Sequence, residues 1–320
     1  IYTSGTTGLP KAAKMSHIKY LTTGSAGLMA GLNKNDVMYC ALPLYHSAGG
    51  AMAVMATIGA GATMGLRRRF SASEFWEDVD RFGVTAFQYI GEFCRYLLNQ
   101  PVHAKEKTHR IKFVVGNGLR PEIWEEFQSR FAIPRVVEFY GATEGNTAMV
   151  NFEGKLGAVG KVPPIVPAPR IIRYDVANDE HPRTEAGLCI ECGDDEVGEL
   201  VAEIPRSADV AAGRFEGYTS KEATEKKILR DVIEAGDTYF RSGDLLKRDA
   251  DGYFYFVDRI GDTFRWKGEN VSTQEVAEAV SAFPGVQMVN VYGVDVAGQD
   301  GRAGMAAIGL EDPAGFDGAA

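Results

Sequence analysis

Positive charge, cysteine and uninterrupted hydrophobic sequence are all scarce in this chain, and each shortage removes a class of function. Lys and Arg number 34 against 43 Asp and Glu, a net charge of −9 over 320 residues. That balance excludes a nucleic-acid partner held on a basic surface. It leaves room for a phosphate ligand, because a local nest of backbone N–H groups binds anions on an acidic protein. The four cysteines, Cys40, Cys94, Cys189 and Cys192, are too few for a disulfide scaffold. Cys189 and Cys192 have the spacing of a zinc knuckle or redox pair, but a zinc site needs a second pair. They read as reduced thiols without metal, which suits a reducing cytoplasm. The stretch from Met38 to Leu66 carries no Asp, Glu, Lys or Arg, yet Pro43, His46, Ser47 and five glycines break it. It reads as a buried strand, a loop and a buried helix rather than a membrane span.

What is present is concentrated at the start. From Thr3 to Lys11 the chain packs four hydroxyls, two glycines and a lysine: Thr3, Ser4, Gly5, Thr6, Thr7, Gly8 and Lys11, with Leu9 and Pro10 between. Glycines let the backbone curl so that N–H groups converge on an anion. Hydroxyls add donors, and lysine adds a compact charge. The guest that fits is a polyphosphate. The common nucleotide loop, Gly-x-x-x-x-Gly-Lys-Ser/Thr, is absent here, since Lys11 follows Gly8 by three residues.

Through the first half, strand-like runs at 37–42, 62–66, 84–90, 111–115 and 136–139 alternate with helical patterns at 50–58, 72–81, 92–99 and 121–130. The last of these helices opens on Pro121, a residue suited to a first turn. This order predicts an α/β fold whose large domain has a parallel, doubly covered sheet, with ligands at the carboxyl ends of the strands. Glycine-rich segments follow two strands there, Gly116-Asn117-Gly118 and Gly141. Beyond Gly198, runs at 199–204, 238–247 and 252–258 predict a small β subdomain. Residues 264–267, 273–282 and 287–294 then read as the opening of a truncated α+β C-terminal domain. The boundary expected is 1–261 for the large domain, with its upstream portion missing, and 262–320 for the hinge and small domain. The chain starts on Ile1 inside its first motif, so a fragment of a longer protein is expected.

Three further segments carry chemistry. In Phe139-Tyr140-Gly141-Ala142-Thr143-Glu144 a tyrosine face can stack on a purine. The Thr143 hydroxyl can donate to a phosphate oxygen, and Glu144 can hold Mg²⁺ against phosphates. In Arg241-Ser242-Gly243-Asp244 an acid at a strand end can accept both ribose hydroxyls. The charge-dense run from Asp258 to Val271 is a polar connector, and its Gly261-Asp262 can serve as a hinge.

All four segments, in this order, resemble the adenylate-forming superfamily. Within it the chain resembles the fatty acid transport protein and very-long-chain acyl-CoA synthetase family. Leu42 through Gly49, Gln88 through Glu92, Gly116 through Arg120 and Thr263 through Ser272 carry that closer likeness over essentially the whole chain. The resemblance implies that Thr3, Ser4, Gly5, Thr6, Thr7, Gly8 and Lys11 wrap the β- and γ-phosphates of ATP. Gly116, Asn117 and Gly118 would line the adenine pocket beneath Tyr140. Thr143 would touch the α-phosphate, and Glu144 would hold Mg²⁺. Asp244, assisted by Arg259, would bind the ribose, and Asp262 would be the hinge. Gly268 would face the pantetheine channel, and His46 would lie near the reacting carboxylate. The implied reaction makes acyl-AMP and pyrophosphate from a fatty acid and Mg·ATP, then acyl-CoA from coenzyme A.

The resemblance also implies a catalytic lysine beyond the chain end, so the isolated chain is expected to adenylate poorly. Coupling to fatty acid uptake follows from trapping of acyl-CoA, in the cytoplasm or on the cytoplasmic face of a membrane, where peripheral association is compatible with the reading. A peptide-synthetase adenylation domain would want an acid near the substrate ammonium, and residues 42–52 have none. An enzyme adenylating another carboxylic acid, and a lipid-uptake protein that binds fatty acid without chemistry, remain as alternatives. Gly91 and the glycines between Gly49 and Gly65 fit either room for a long acyl chain or tight helix–sheet packing.

Overall fold

Side-chain alternation along the central strands explains the architecture. Met38, Ala86, Phe113, Val115, Val137 and Phe139 point to one face of a sheet and bury there with Ala26, Ala30 and Ala56. Tyr39, Phe87, Tyr89, Val114 and Val136 point to the other and bury with Phe75, Trp76, Leu97, Trp124 and Phe127. Strands apolar on both faces need helices on both faces. The computed structural model describes residues 1–3, 11–164, 166, 168–176, 178–205, 214–266, 269–296 and 301–310.

The chain opens with a short ladder, β1 (Tyr2–Thr3) and β2 (Lys11–Ala12), followed by α1 (His17–Thr22) and α2 (Ser25–Met29). Next come β3 (Val37–Cys40), a π-helical turn (Ser47–Ala53) running into α3 (Val54–Ala60), and β4 (Thr63–Leu66). Then follow α4 (Phe75–Phe82), β5 (Ala86–Ile90), α5 (Gly91–Leu98), β6 (Phe113–Asn117), α6 (Pro121–Arg130), β7 (Val136–Gly141) and β8 (Ala148–Asn151). The sheet order is β4-β3-β5-β6-β7-β8. Every pair is parallel except β7 with β8. The expected strand at 136–139 thus continues through Tyr140 and Gly141 and turns back. Residues 142–147, which include Thr143 and Glu144, form the loop of that hairpin. The uncharged Met38–Leu66 stretch folds as the expected strand, loop and helix, with the helix entered through the π turn. Among the described residues no helix is long and apolar enough to cross a membrane.

The β subdomain comprises β9 (Arg170–Ile172), β10 (Gly198–Glu203), α7 (Lys221–Glu225), β11 (Ile228–Arg230), β12 (Thr238–Arg248) and β13 (Phe254–Arg259). Its sheet runs β11-β12-β10-β9, with β13 also on β12. Leu200, Leu246, Phe254 and Met149 of β8 share one core, which ties this sheet to the first. The last segment holds β14 (Phe264–Trp266), β15 (Glu269–Val271), α8 (Thr273–Ser281), β16 (Val286–Asp295) and β17 (Arg302–Leu310). Phe264, Ala277, Val289 and Val291 form its own small core. The Ala/Gly-rich β17 has weak strand propensity and escapes sequence reading. It is fixed by pairing with β16 over its whole length.

Gly91 opens α5 directly at the end of β5. A Cβ there would stand 1.6 Å from the carbonyl oxygen of Gly118. At Gly50 it would stand 1.8 Å from that of Leu44. Both glycines therefore serve close backbone approach.

Candidate active site

Four segments converge at the carboxyl ends of β6 and β7. The first is the β1–β2 ladder, whose register pairs Thr3 with Lys11. Ser4, Gly5, Thr6, Thr7 and Gly8, between those two residues, lie outside the described residues. The ladder is anchored on residues 217–219. Lys14 N–H donates to Gly217 O at 2.9 Å and Thr219 N–H to Ala12 O at 3.0 Å. Tyr218, held there in a small core with Ala13 and Ala223, donates its hydroxyl to Glu144 Oε1 at 2.6 Å. One tyrosine thus connects the β1–β2 ladder to Glu144.

The second segment is the 142–147 loop. Thr143 Oγ1 lies 3.0 Å from Ser47 Oγ. Ser47 begins the π turn, and His46 caps that turn by accepting from Ala48 N–H on Nδ1 at 3.2 Å. His46 is exposed, one residue from the Thr143 contact. Lys19 of α1 donates to Gly145 O at 2.7 Å. Burial drives its ammonium pKa down, opposed by the charges of Glu216 and Glu144.

The third segment is the turn after β6. Asn117 ends the strand and Gly118 adopts φ +79°, a left-handed conformation that favours glycine. The buried Glu138 carboxyl fixes this turn by accepting the Gly118 N–H, and the Leu119 N–H at 3.3 Å, while Tyr89 donates its hydroxyl to the other oxygen. Burial pushes Glu138 up to about 8, against the opposing pull of those bonds. Gly116 packs against Tyr89, where a Cβ would meet the tyrosine carbonyl oxygen at 2.3 Å.

The fourth segment brings Asp244 to Tyr140. The Tyr140 hydroxyl donates to Asp244 Oδ2 at 2.6 Å. Arg259 Nε lies 3.7 Å from Asp244 Oδ1, since β12 and β13 pair these two residues directly. Burial raises the Asp244 carboxyl, and the Tyr140 bond, Arg259 and Lys227 offset part of that rise. Burial also raises the Tyr140 hydroxyl well above its usual range, reinforced by the adjacent carboxylate. Lys227 donates to Ser242 O at 2.9 Å. Burial lowers its ammonium pKa against the raising charges of Glu144, Glu199 and Asp244.

Asp262 sits exposed in the turn after β13, its N–H bonded to Arg259 O at 3.0 Å. Gly268 lies outside the described residues. Sequence reading missed Tyr218, Lys19, Lys227 and Glu138. None carries a local motif, and each reaches the site only through tertiary contact. Cys189 and Cys192 are buried free thiols, and burial pushes Cys192 up to about 12.

Glu144 is the hard oxygen donor that Tyr218 ties to the β1–β2 ladder. Among the described residues no cluster of three or more His, Cys, Asp or Glu could hold a metal by itself. One half-buried carboxylate with an oriented oxygen fits Mg²⁺, which is commonly held by one or two carboxylates together with substrate phosphates.

Comparison with known proteins points the same way. The chain is 48% identical over 322 residues to long-chain fatty acid transport protein 3 of Homo sapiens, covering 99% of this chain and 46% of that protein. It is 49% identical to long-chain fatty acid transport protein 1 of Mus musculus, covering 96% and 48%. The chain therefore spans about half the length of these relatives. Among solved structures, ATP-bound MatB from Rhodopseudomonas palustris superposes with a TM-score of 0.78 at 28% identity, covering 99% of this chain and 58% of that one. The O-succinylbenzoate coenzyme A synthetase of Bacillus subtilis, in complex with ATP and magnesium ion, shares the fold at TM-score 0.73 and 24% identity, over 98% of this chain and 60% of that one. The family of AMP-binding enzymes matches residues 1–208, and the chain belongs to that family.

Proposed function

We propose that the complete gene product carrying this chain is an ATP-dependent ligase that joins a long- or very-long-chain fatty acid to coenzyme A through an acyl-AMP intermediate. The observation that carries this reading is the convergence, at one end of one sheet, of the β1–β2 ladder that brackets the Thr3–Lys11 segment, Thr143 with Glu144, and the Tyr140–Asp244–Arg259 group. Each matches a different part of a nucleoside triphosphate. The names of the relatives favour a fatty acid over other carboxylates.

In the first step a carboxylate oxygen attacks the α-phosphorus, the bond to the bridging oxygen breaks, and pyrophosphate leaves. In the second, the coenzyme A thiol loses its proton, its sulfur attacks the acyl carbon, and AMP leaves. No protein nucleophile is needed, so the work is positioning and neutralisation of charge. Tyr140 stacks on the adenine over Gly116, Asn117 and Gly118, and Asp244 with Arg259 holds the ribose. Ser4, Gly5, Thr6, Thr7 and Gly8, with Thr3 and Lys11, wrap the β- and γ-phosphates. Thr143, braced by Ser47, donates to the α-phosphate near His46. Glu144, oriented by Tyr218, would hold Mg²⁺, which when bound neutralises charge on the phosphates. Asp262 is the hinge on which the segment from residue 262 turns to bring Gly268 toward the thiol. Thioester formation traps incoming fatty acid, which couples the reaction to uptake at the cytoplasmic face of a membrane.

The test supplies the complete gene product with ATP, Mg²⁺, coenzyme A and carboxylates from acetate to very long chains, and reads products by mass spectrometry. Acyl-CoA and AMP from the long-chain acids are expected. AMP release with another acid class, and no fatty acyl thioester, would keep the adenylate chemistry and overturn the fatty acid assignment.

A further inference from the structure

Asp244 leaves an irregular stretch of strand, and the irregularity has a specific cause. The β10–β12 ladder pairs Glu199 with Leu245 and then Val201 with Arg241, so Ser242, Gly243 and Asp244 stand opposite Leu200 alone. Gly243 takes φ +80° within this bulge. Bulges re-aim the side chains that follow them. This one is pinned at several points. Ser242 Oγ donates to Leu200 O at 2.7 Å and accepts from Asp244 N–H at 3.1 Å, and Ile260 N–H donates to Gly243 O at 3.0 Å.

Beneath the bulge lies Glu199, with 0% exposure. Its Oε1 accepts the Gly243 N–H at 3.0 Å. Arg241 Nε reaches both oxygens at 3.2 and 3.0 Å, and Arg241 Nη2 reaches Oε2 at 2.9 Å. His181 Nε2 meets Oε2 at 2.6 Å. Tyr174 closes the cluster, its ring edge-on to His181 and 5.9 Å from the Arg241 guanidinium carbon. Burial alone would raise the Glu199 carboxyl, but the bonds from His181 and Arg241 overcome it and hold it below its usual range. A buried ion pair is not needed for stability, since apolar packing of similar volume often serves as well. What apolar packing cannot do is accept the N–H of the residue just before Asp244.

We propose that Glu199, clasped by Arg241 and His181, is a positioning residue that holds the Ser242–Gly243 bulge so that Asp244 meets both ribose hydroxyls of the nucleotide. The inference rests on the reading of Asp244 as the ribose acceptor. It assigns Glu199 and Arg241 a share in sugar selectivity although neither touches the sugar.

The test measures calorimetric affinity of the complete gene product for AMP, 2′-deoxy-AMP and 3′-deoxy-AMP. Wild type is expected to prefer AMP by roughly tenfold or more, the worth of a hydrogen bond to a charged group. Asp244→Ala should abolish the preference. Glu199→Gln, which keeps an oxygen for the Gly243 N–H but loses the charge that Arg241 and His181 clasp to hold that oxygen in place, should remove most of it, and the double variant should be no worse than Asp244→Ala alone. Val201→Ala, buried in the same strand, should lower the melting temperature while keeping the preference, which separates positioning from general loss of stability. Arg241→Lys, which keeps the charge but not the two-nitrogen clasp, should show an intermediate loss, and it decides the matter if Glu199→Gln does not fold. Full preference retained in Glu199→Gln, or in Arg241→Lys in its stead, with Asp244→Ala indifferent to the sugar, overturns the positioning role alone. A wild type without preference, or an Asp244→Ala that keeps it, overturns the ribose reading and this proposal with it.

Discussion

The contact between Tyr218 and Glu144 makes a prediction that can be worked through quantitatively. Tyr218 Oη lies 2.6 Å from Glu144 Oε1, a short, charge-assisted bond in a half-buried setting. Such bonds contribute about 1.5–3 kcal/mol when enclosed. Partial solvent access argues for the lower end, so Tyr218→Phe should lower ligase turnover by roughly tenfold. Glu144→Ala removes the proposed charge-stabilising group itself and should cost roughly 10²–10³ in turnover, or about 2.7–4 kcal/mol. Because Tyr218 acts through Glu144, the double variant should be no slower than Glu144→Ala, giving a coupling energy equal to the whole Tyr218→Phe effect. The assay is acyl-CoA formation by the complete gene product at saturating ATP, repeated over a Mg²⁺ titration. Tyr218→Phe should raise the Mg²⁺ concentration needed for half-maximal rate. If the two substitutions multiply, Tyr218 has a separate role. If Glu144→Ala leaves the rate unchanged, Glu144 leaves the mechanism altogether.

Two further outcomes follow from the geometry. Glu138 is buried and raised from 4.5 to about 8, so the stability it contributes is complete below the unfolded-state value and is lost as pH rises through the folded one. Glu138→Gln, which still offers an oxygen to the Gly118 and Leu119 N–H groups, should flatten the melting-temperature profile across that window; a profile as steep as wild type would refute the assignment. Gly91→Ala would put a methyl 1.6 Å from Gly118 O and should destabilise by about 1–3 kcal/mol in denaturant titration, since overpacking forces backbone shifts; a neutral variant would show that the approach is soft. Independently of the geometry, the 320-residue chain spans about half the length of its relatives and, assayed alone, should form acyl-AMP poorly; robust pyrophosphate release from ATP and fatty acid would contradict that expectation.

The parts legible in advance were those written locally. Helical and strand periodicities from Val37 to Phe139 gave the parallel, doubly covered sheet, because a strand buried on both faces and an amphipathic helix each leave a short-range signature. Pro121 marked the start of its helix to the residue. The hydroxyl-rich Thr3–Lys11 segment, Thr143 with Glu144, and Asp244 stood out because the phosphate and sugar roles proposed for them need particular residue types at close spacing.

The sequence by itself determined the fold class and nominated the chemical inventory of the candidate site, since both depend on residues near one another in the chain. Tertiary structure alone decided how that inventory is assembled. Tyr218 reaches Glu144 across 74 positions, Tyr140 reaches Asp244 across 104, and Ser47 reaches Thr143 across 96. The antiparallel return of β8 and the pairing of the Ala/Gly-rich β17 were likewise settled by partners distant in sequence. Glu199 and Glu138 show why such contacts stay hidden. An isolated acid in an apolar run looks like an error of pattern until the backbone N–H groups it satisfies are brought beside it, and only the folded chain does that.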